Sequence, residues 1–358
     1  MLLGACAVPA LAARTASSRR DLALDALIPL AVGALAAVLV YLVRPLDAGA
    51  GVLVAVLGIP TVIIFSQSRR PLRFALCGTA LLVAGSLTAY GEPLLHAERT
   101  FYGMYRVTSD QAGTYRSLIH GTTLHGIQAA SLSSEPLTYF HPTGPFGQMY
   151  NSLPRVSGTA EVAVVGLGIG SLAQYVRDGQ RWTFYELDPA VARIAGSDGF
   201  FSHLATCGEQ CQVVVGDGRL SIGRAQPHQY GLIVLDAFSS DAVPVHLMTR
   251  EAVILYLERL SPGGVLVFNV SNRHLTLGPV LARVASSLGL TAIERMHWVD
   301  RDAFAAGQRS SNWVVMARSS EDLKELLADS RWRVPQIEDS TPLWTDDFSN
   351  ILSLLKIR

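Results

Sequence analysis

Between Glu161 and Ser319 the chain repeats one pattern. A run of apolar, β-branched or aromatic residues stops at a glycine or a carboxylate, and a helical stretch then begins. The runs "EVAVVGLG", "RWTFYELD", "CQVVVGDG", "YGLIVLDAF", "GGVLVFNVSN" and "NWVVMARS" read as strands. Between them, "GSLAQYVRD", "PAVARIAG", "TREAVILYLERL" and "LGPVLARVASSLG" read as helices. Near-continuous apolar strands alternating with helices predict a mainly parallel sheet covered on both faces. Such sheets bind ligands beyond the carboxyl ends of their strands. Upstream, "FYGMYRV", "TYRSLIHG" and "GIQAASL" are short β runs between turn residues, which predicts a small antiparallel unit.

The first ninety residues have a different texture. Residues 22–43, 50–66 and 73–90 are apolar on every side, with Asp25 the one acid of the first run. Their lengths approach the roughly 17–25 residues that a helix needs to cross a bilayer. Three spans are therefore expected, in a multi-pass cell-membrane protein with lipid as a partner. Arg14, Arg19 and Arg20 precede the first span, and Arg69, Arg70 and Arg73 follow the second. The positive-inside rule assigns both groups to the cytoplasm, which would leave the remaining chain outside. The chemistry read below favours the cytoplasm, so the side stays open. The expected organisation is 1–92 transmembrane, 93–155 β subdomain, 156–320 doubly wound domain and 321–358 C-terminal segment. A formal net charge of +0 gives no footprint for nucleic acid.

The strand ends hold the candidate chemistry. Gly166, Gly168 and Gly170 form G-x-G-x-G after the first strand, where glycine lets the backbone turn and approach a ligand. Dinucleotide binders place the third glycine one residue later, so the closer spacing points to an S-adenosylmethionine-type loop. Glu186 ends the second strand, where an acid can accept both ribose hydroxyls. Asp217, before Gly218, ends the third and can accept from an adenine amino group; a turn aspartate is the alternative. Asp188 precedes Pro189 and reads as a helix N-cap. Asp236 ends the fourth strand, with Phe238 and Asp241 just after. Two carboxylates suit a cationic amine, which they can hold and deprotonate as it attacks. A sulfonium leaves as a neutral thioether, so no general acid is required.

The order "LIHGTTLHGIQ", "PLTYFHPTGPFGQ", "VVGLGIGS", "YELDP", "VVVGDGRL", "LIVLDAFSSDAVPVHLMT" resembles the spermidine synthase family, the polyamine aminopropyltransferases. With "ERTFYGMYRV" and "LWTDDFSNIL" it is most similar to bacterial members fused to a membrane region. The resemblance covers residues 96–355. It implies a small N-terminal β subdomain before a Rossmann-like, class I S-adenosylmethionine-type α/β domain. It also implies aminopropyl transfer from decarboxylated S-adenosylmethionine, as co-substrate, to a diamine such as putrescine, releasing methylthioadenosine. By the same likeness Gln128 is a donor-site residue, Tyr139 closes over the amine, Glu186 holds ribose and Asp217 adenine. Asp236 is the catalytic acceptor, Asp241 the second amine-binding acid, and a homodimer is implied.

This chain departs from the family at two charges. Ile169 stands where the glycine loop usually carries an aspartate, and "YFHP" lacks the glutamate of a tyrosine–histidine–glutamate run. Asp346 and Asp347 could replace one of these, or could start a last helix over "DDFSNILSLLK". S-adenosylmethionine is thus the alternative donor, in a methyltransferase, and a non-catalytic adenosyl sensor is the third reading. Cys207 and Cys211 are expected as free thiols, a disulfide being the alternative in an oxidising compartment. No histidines are spaced as metal ligands, so no metal is expected. His141 lies beside the tyrosine motif, and Trp298 and Trp313 are expected in the core.

Overall fold

The computed structural model describes residues 19–43, 50–89, 92–121, 123–131, 135–196, 199–237, 244–272 and 274–355. Asp241 and Phe238 lie outside the described residues. The chain divides into two compact units, Met1–Pro93 and Leu94–Arg358.

In the first unit, α1 (Arg19–Val43), α2 (Ala50–Ser66) and α3 (Pro71–Ala89) coincide with the three apolar runs. Among the described residues only one helix, Arg19–Leu39, is long and apolar enough to cross a membrane. This corrects the three-span expectation. The 17 residues of α2 rise only about 26 Å, short of a hydrocarbon core of about 30 Å, and the apolar part of α3 is Pro71–Gly85. Asp25 is not unpaired in this apolar helix: Arg73, buried on α3, pairs with its carboxylate at 2.9 Å. Pairing of this kind makes a charge tolerable inside an apolar helical unit.

In the second unit, β1 (Leu94–Arg99), β2 (Met104–Ser109), β3 (Tyr115–His120) and β4 (Thr123–Ala129) form an antiparallel sheet in sequence order. The larger sheet has seven strands: β5 (Glu161–Val165), β6 (Arg181–Glu186), β7 (Cys211–Val215), β8 (Tyr230–Leu235), β9 (Leu260–Asn269), β10 (Thr291–His297) and β11 (Ser311–Ala317). Their order is β10-β11-β9-β8-β5-β6-β7. The five strands from β9 to β7 run parallel, and β11 and β10 are antiparallel. Aromatic cores cover both faces, Phe146, Trp182 and Trp313 on one and Tyr256, Phe268 and Trp344 on the other. β1 and β10 escape sequence reading because "LLHAER" is mostly exposed and "TAIERMH" carries two charges in mid-strand.

Four local expectations are corrected. "GSLAQYVRD" forms only a 3₁₀ turn, Ser171–Tyr175, bounded by left-handed Gly170 (φ +80°) and Gly179 (φ +81°). Leu172, Ala173 and Tyr175 are buried there, and the Tyr175 hydroxyl donates to the Phe140 carbonyl, so packing replaces helical bonds. "DDFSNILSLLK" is not a helix: Thr345 pairs with Phe348, and only Leu352–Leu354 turns. Cys207 and Cys211 form a disulfide; a reversal at Gly208 (φ +60°) brings their Cα atoms to 5.7 Å. Trp313 is buried as expected, but Trp298 is 75% exposed.

The glycines after β5 are demanded by the chain's own backbone. Gly166 has φ +95°, and a Cβ there would stand 2.4 Å from the Asp236 carbonyl oxygen. A Cβ on Gly168 (φ +55°) would likewise stand 2.7 Å from the His125 carbonyl oxygen. Gly179, also left-handed, has open space around it. Gly166→Ala is therefore expected to cost about 2–5 kcal/mol, from backbone strain plus overlap, and Gly179→Ala only about 1 kcal/mol. Urea unfolding midpoints of the two variants check the difference.

Candidate active site

Register brings the site together. Leu235 of β8 pairs with Val165 of β5 on one side and with Phe268 of β9 on the other. The next residues, Asp236, Gly166 and Asn269, therefore emerge side by side at the strand ends. The Asp236 amide donates to the Val165 carbonyl at 2.8 Å, which fixes where its side chain leaves the sheet. Its carboxylate accepts from Asn269 Nδ2 at 2.6 Å and from the Tyr139 hydroxyl. Asn269 is itself oriented, its Oδ1 accepting the Ser271 amide at 3.0 Å.

Tyr139 comes from outside the main sheet and is held through its neighbour. Thr138 is β-branched yet has φ +60°, a strained conformation for such a residue. Its amide donates to the Gly307 carbonyl at 2.9 Å and its carbonyl accepts the Arg309 amide at 3.2 Å. These two bonds dock residues 137–140 onto the turn before β11. Burial and the Asp236 charge push the Tyr139 hydroxyl well above its ordinary range, so it is a donor throughout the physiological range.

Asp236 has two hydrogen bonds and, among the described residues, no cation within ion-pairing distance. Burial is the dominant influence and raises its pKa to about 7; the bonds from Asn269 and Tyr139 oppose this only in part. A carboxyl that titrates near neutrality is suited to taking a proton and giving it up. Asp236, Tyr139 and Asn269 line a cavity of about 1630 Å³ that opens along β10 and the loops beside it. His125 and His297 also line it, and burial lowers both, His297 further through Arg295 and Arg331.

The nucleoside-side residues sit at the other strand ends. Glu186 closes β6, nearly buried, and accepts the Leu167 amide at 3.0 Å and the Asp188 amide at 2.9 Å. Each carboxylate oxygen thus keeps lone-pair capacity for a hydroxyl. Asp188 caps the following helix through the Ala190 amide, as expected. Asp217 caps the helix Gly218–Gly223 by accepting the Leu220 amide, and its other oxygen lies 3.5 Å from His246 Nε2. Gly218 is required by packing, since a Cβ would meet Val165 at 2.5 Å. Gln128 is fully buried and engaged with Ser202, donating to its hydroxyl at 2.7 Å and accepting its amide at 3.0 Å. Gly170 abuts Leu204 in the same segment.

Neither Ile169 nor Asp346 offers a free charge to the site. Ile169 is buried under Gly126, whose Cβ would stand 2.5 Å from it. Asp346 makes a bidentate pair with Arg219, both contacts at 2.7 Å, and accepts from Thr249 Oγ1. That arginine holds its carboxyl below the usual range, so Asp346 ties down the C-terminal segment. His141 bonds Thr143 and lies 3.4 Å from Glu135. Sequence reading missed Asn269; its one signal is a polar residue ending a buried strand beside another such strand.

No family model matches the chain. It is 34% identical over 130 residues to the polyamine aminopropyltransferase of Vibrio vulnificus, covering 34% of this chain and 40% of that one. It is 25% identical over 160 residues to the probable polyamine aminopropyl transferase of Bifidobacterium longum, covering 44% and 33%. The chain thus spans less than half the length of these curated relatives. Among solved structures it resembles a probable spermidine synthase from Corynebacterium glutamicum, with TM-score 0.51, 16% identity, and coverage of 72% of this chain and 98% of that one. It also resembles spermidine synthase from Thermotoga maritima, with TM-score 0.50, 11% identity and coverage of 70% and 82%. These likenesses show the Rossmann-like α/β fold with its small N-terminal sheet.

Because Asp236 has its pKa raised to about 7, the folded protein retains a proton between about pH 4 and 7 that the unfolded chain has already released. Stability is therefore lost as pH rises through that window. Asp236→Asn removes the ionisation and is expected to raise Tm by a few degrees at pH 8, with little change at pH 4. Thermal unfolding of both proteins at the two pH values tests this.

Proposed function

We propose that this chain, a member of the spermidine synthase family, transfers an aminopropyl group from decarboxylated S-adenosylmethionine to an amine and releases methylthioadenosine. The observation that carries the reading is Asp236, a carboxyl poised near neutrality on a cavity floor with oriented donors on it. The names of the sequence relatives support the same chemistry. Glu186 would take the ribose hydroxyls and Asp217 the adenine amino group. The acceptor nitrogen loses a proton to Asp236, directly or as it attacks. Its lone pair forms the new C–N bond while the C–S bond breaks, and the electron pair leaves on sulfur as a neutral thioether. Tyr139 and Asn269 keep the carboxylate aimed, and most of the remaining acceleration is alignment of nitrogen, carbon and sulfur.

A second reading, methyl transfer from S-adenosylmethionine, is favoured by Ile169, which supplies no charge for the amine end of a decarboxylated donor. Arg19–Leu39 is read as a membrane anchor for the enzyme. Arg70 and Arg73 lie against the start of that helix, 3.7 Å from Asp21 and 2.9 Å from Asp25 respectively, so Arg19, Arg20, Arg70 and Arg73 share one end of the helical unit.

The test uses the full chain, each donor and a set of amines. Methylthioadenosine is the expected product; adenosylhomocysteine would support the second reading, and neither product would sink both. The rate is expected to rise through about pH 7 as Asp236 ionises. Asp236→Asn should lower kcat/KM by about 10²–10⁴ and abolish that limb of the profile.

A further inference from the structure

The walls of the cavity differ in charge from its floor. Beyond Asp236, the lining includes the guanidiniums of Arg295, Arg309, Arg331 and Arg333, against one further carboxylate among the described residues, Glu294. Glu294 is engaged: Asn312 Nδ2 donates to it, and it packs against the start of the helix at Gly278. Arg331 is neutralised by Asp329, with contacts of 2.6–3.0 Å. Arg295 feels Asp329 only from beyond Gln148, and Arg309 makes no ion pair among the described residues. Arg295 is 97% buried (3% exposed), and its donors reach only neutral acceptors, the Gln148 side chain and the Thr143 carbonyl, with His297 Nδ1 at 3.4 Å. Arg309 donates to the carbonyls of Phe304 and Gln308, and its guanidinium lies 3.9 Å from the Phe304 ring centroid. Neither has a carboxylate within ion-pairing distance among the described residues.

A buried guanidinium without a counter-charge is costly unless something anionic enters its site. A diamine is the wrong occupant for such walls. Once one nitrogen is deprotonated at Asp236, its other end is still an ammonium and would be pushed among arginines. Ile169 is buried and apolar and Asp346 is held by Arg219, so neither answers that ammonium.

Resting on the transfer reading above, we infer that the acceptor this cavity prefers is an amine carrying a carboxylate at its far end. Its nitrogen faces Asp236, and its carboxylate lies among the guanidiniums of Arg295 and Arg309. Arginine suits this role, because its planar fork meets a carboxylate with two parallel bonds.

Three acceptors of equal length isolate the effect: 4-aminobutyrate, n-butylamine and 1,4-diaminobutane. They are compared, with their five-carbon homologues, on the full chain with decarboxylated S-adenosylmethionine. The expected order of kcat/KM is carboxylate, then neutral, then ammonium, with at least tenfold between first and last. Arg309→Glu, and separately Arg333→Glu at the exposed rim, should shrink that ratio or invert it. A diamine used as well as the aminocarboxylate, or a preference indifferent to both reversals, overturns the inference and leaves the transfer reading intact. Methylthioadenosine from none of the acceptors overturns the transfer reading instead. The stabilisation of the protein by 4-aminobutyrate against that by 1,4-diaminobutane, measured as Tm shifts, then still decides the charge preference.

Discussion

A single desolvated carboxyl organises this site. Asp236 stands at the end of a strand buried along its whole length, and its solvent is replaced by two directed donors rather than by a cation. That choice matters. A carboxylate beside a guanidinium is held ionised, as the exposed Asp346 is beside Arg219. A buried carboxyl with only neutral donors is pushed the other way and shares its proton with the medium near neutrality. The same residue type therefore anchors a chain end in one place and can act as a base in the other. The protein bears the cost of the second placement in stability, as functional sites commonly do.

The supporting shell follows from that constraint. Asn269 can serve only because β9 pairs with β8 in the register that puts Phe268 beside Leu235. Tyr139 reaches Asp236 only because Thr138 is held at φ +60° by the backbone of Gly307 and Arg309. Gly166 must lack a Cβ because the Asp236 carbonyl occupies that space. Glycine loop, strand register and strained threonine are separate in sequence, and all bear on one carboxyl group.

Part of this was legible in the chain and part was not, for physical reasons. The strand ends at Glu186, Asp217 and Asp236 could be found because an apolar run that stops in acid is hard to explain inside a sheet. Asp188 could be assigned to a cap because Pro189 starts the helix. Asn269 passed unnoticed because asparagine at a strand end is ordinary turn chemistry. Thr138 could not be found at all, since its conformation is imposed by a contact some 170 residues away in the chain. The glycines were read as space for a ligand, whereas their nearest neighbours are the protein's own carbonyls and a leucine. The turn Ser171–Tyr175 was read as a helix because its apolar spacing suits either; burial of Tyr175 against Phe140 decided it. The disulfide depended on a reversal at Gly208 that spacing alone does not reveal.

The division between floor and walls also explains how one scaffold can change its substrate without changing its chemistry. Proton transfer and displacement need only the reacting nitrogen, the donor carbon and Asp236, so they are indifferent to what the acceptor carries at its far end. Recognition of that far end falls to β10 and the loops around Arg309, which lie outside the parallel strands that set the floor. Asp236 keeps its backbone bond to Val165 and its bond from Asn269 independently of those elements, while its bond from Tyr139 runs through the backbone, not the side chains, of Gly307 and Arg309. Low effective dielectric in the cavity then makes each wall charge count for more than it would in water. A scaffold arranged this way would separate catalytic competence from acceptor choice, and on the acceptor reading proposed above the guanidiniums of Arg295 and Arg309 would stand on the side that makes the choice.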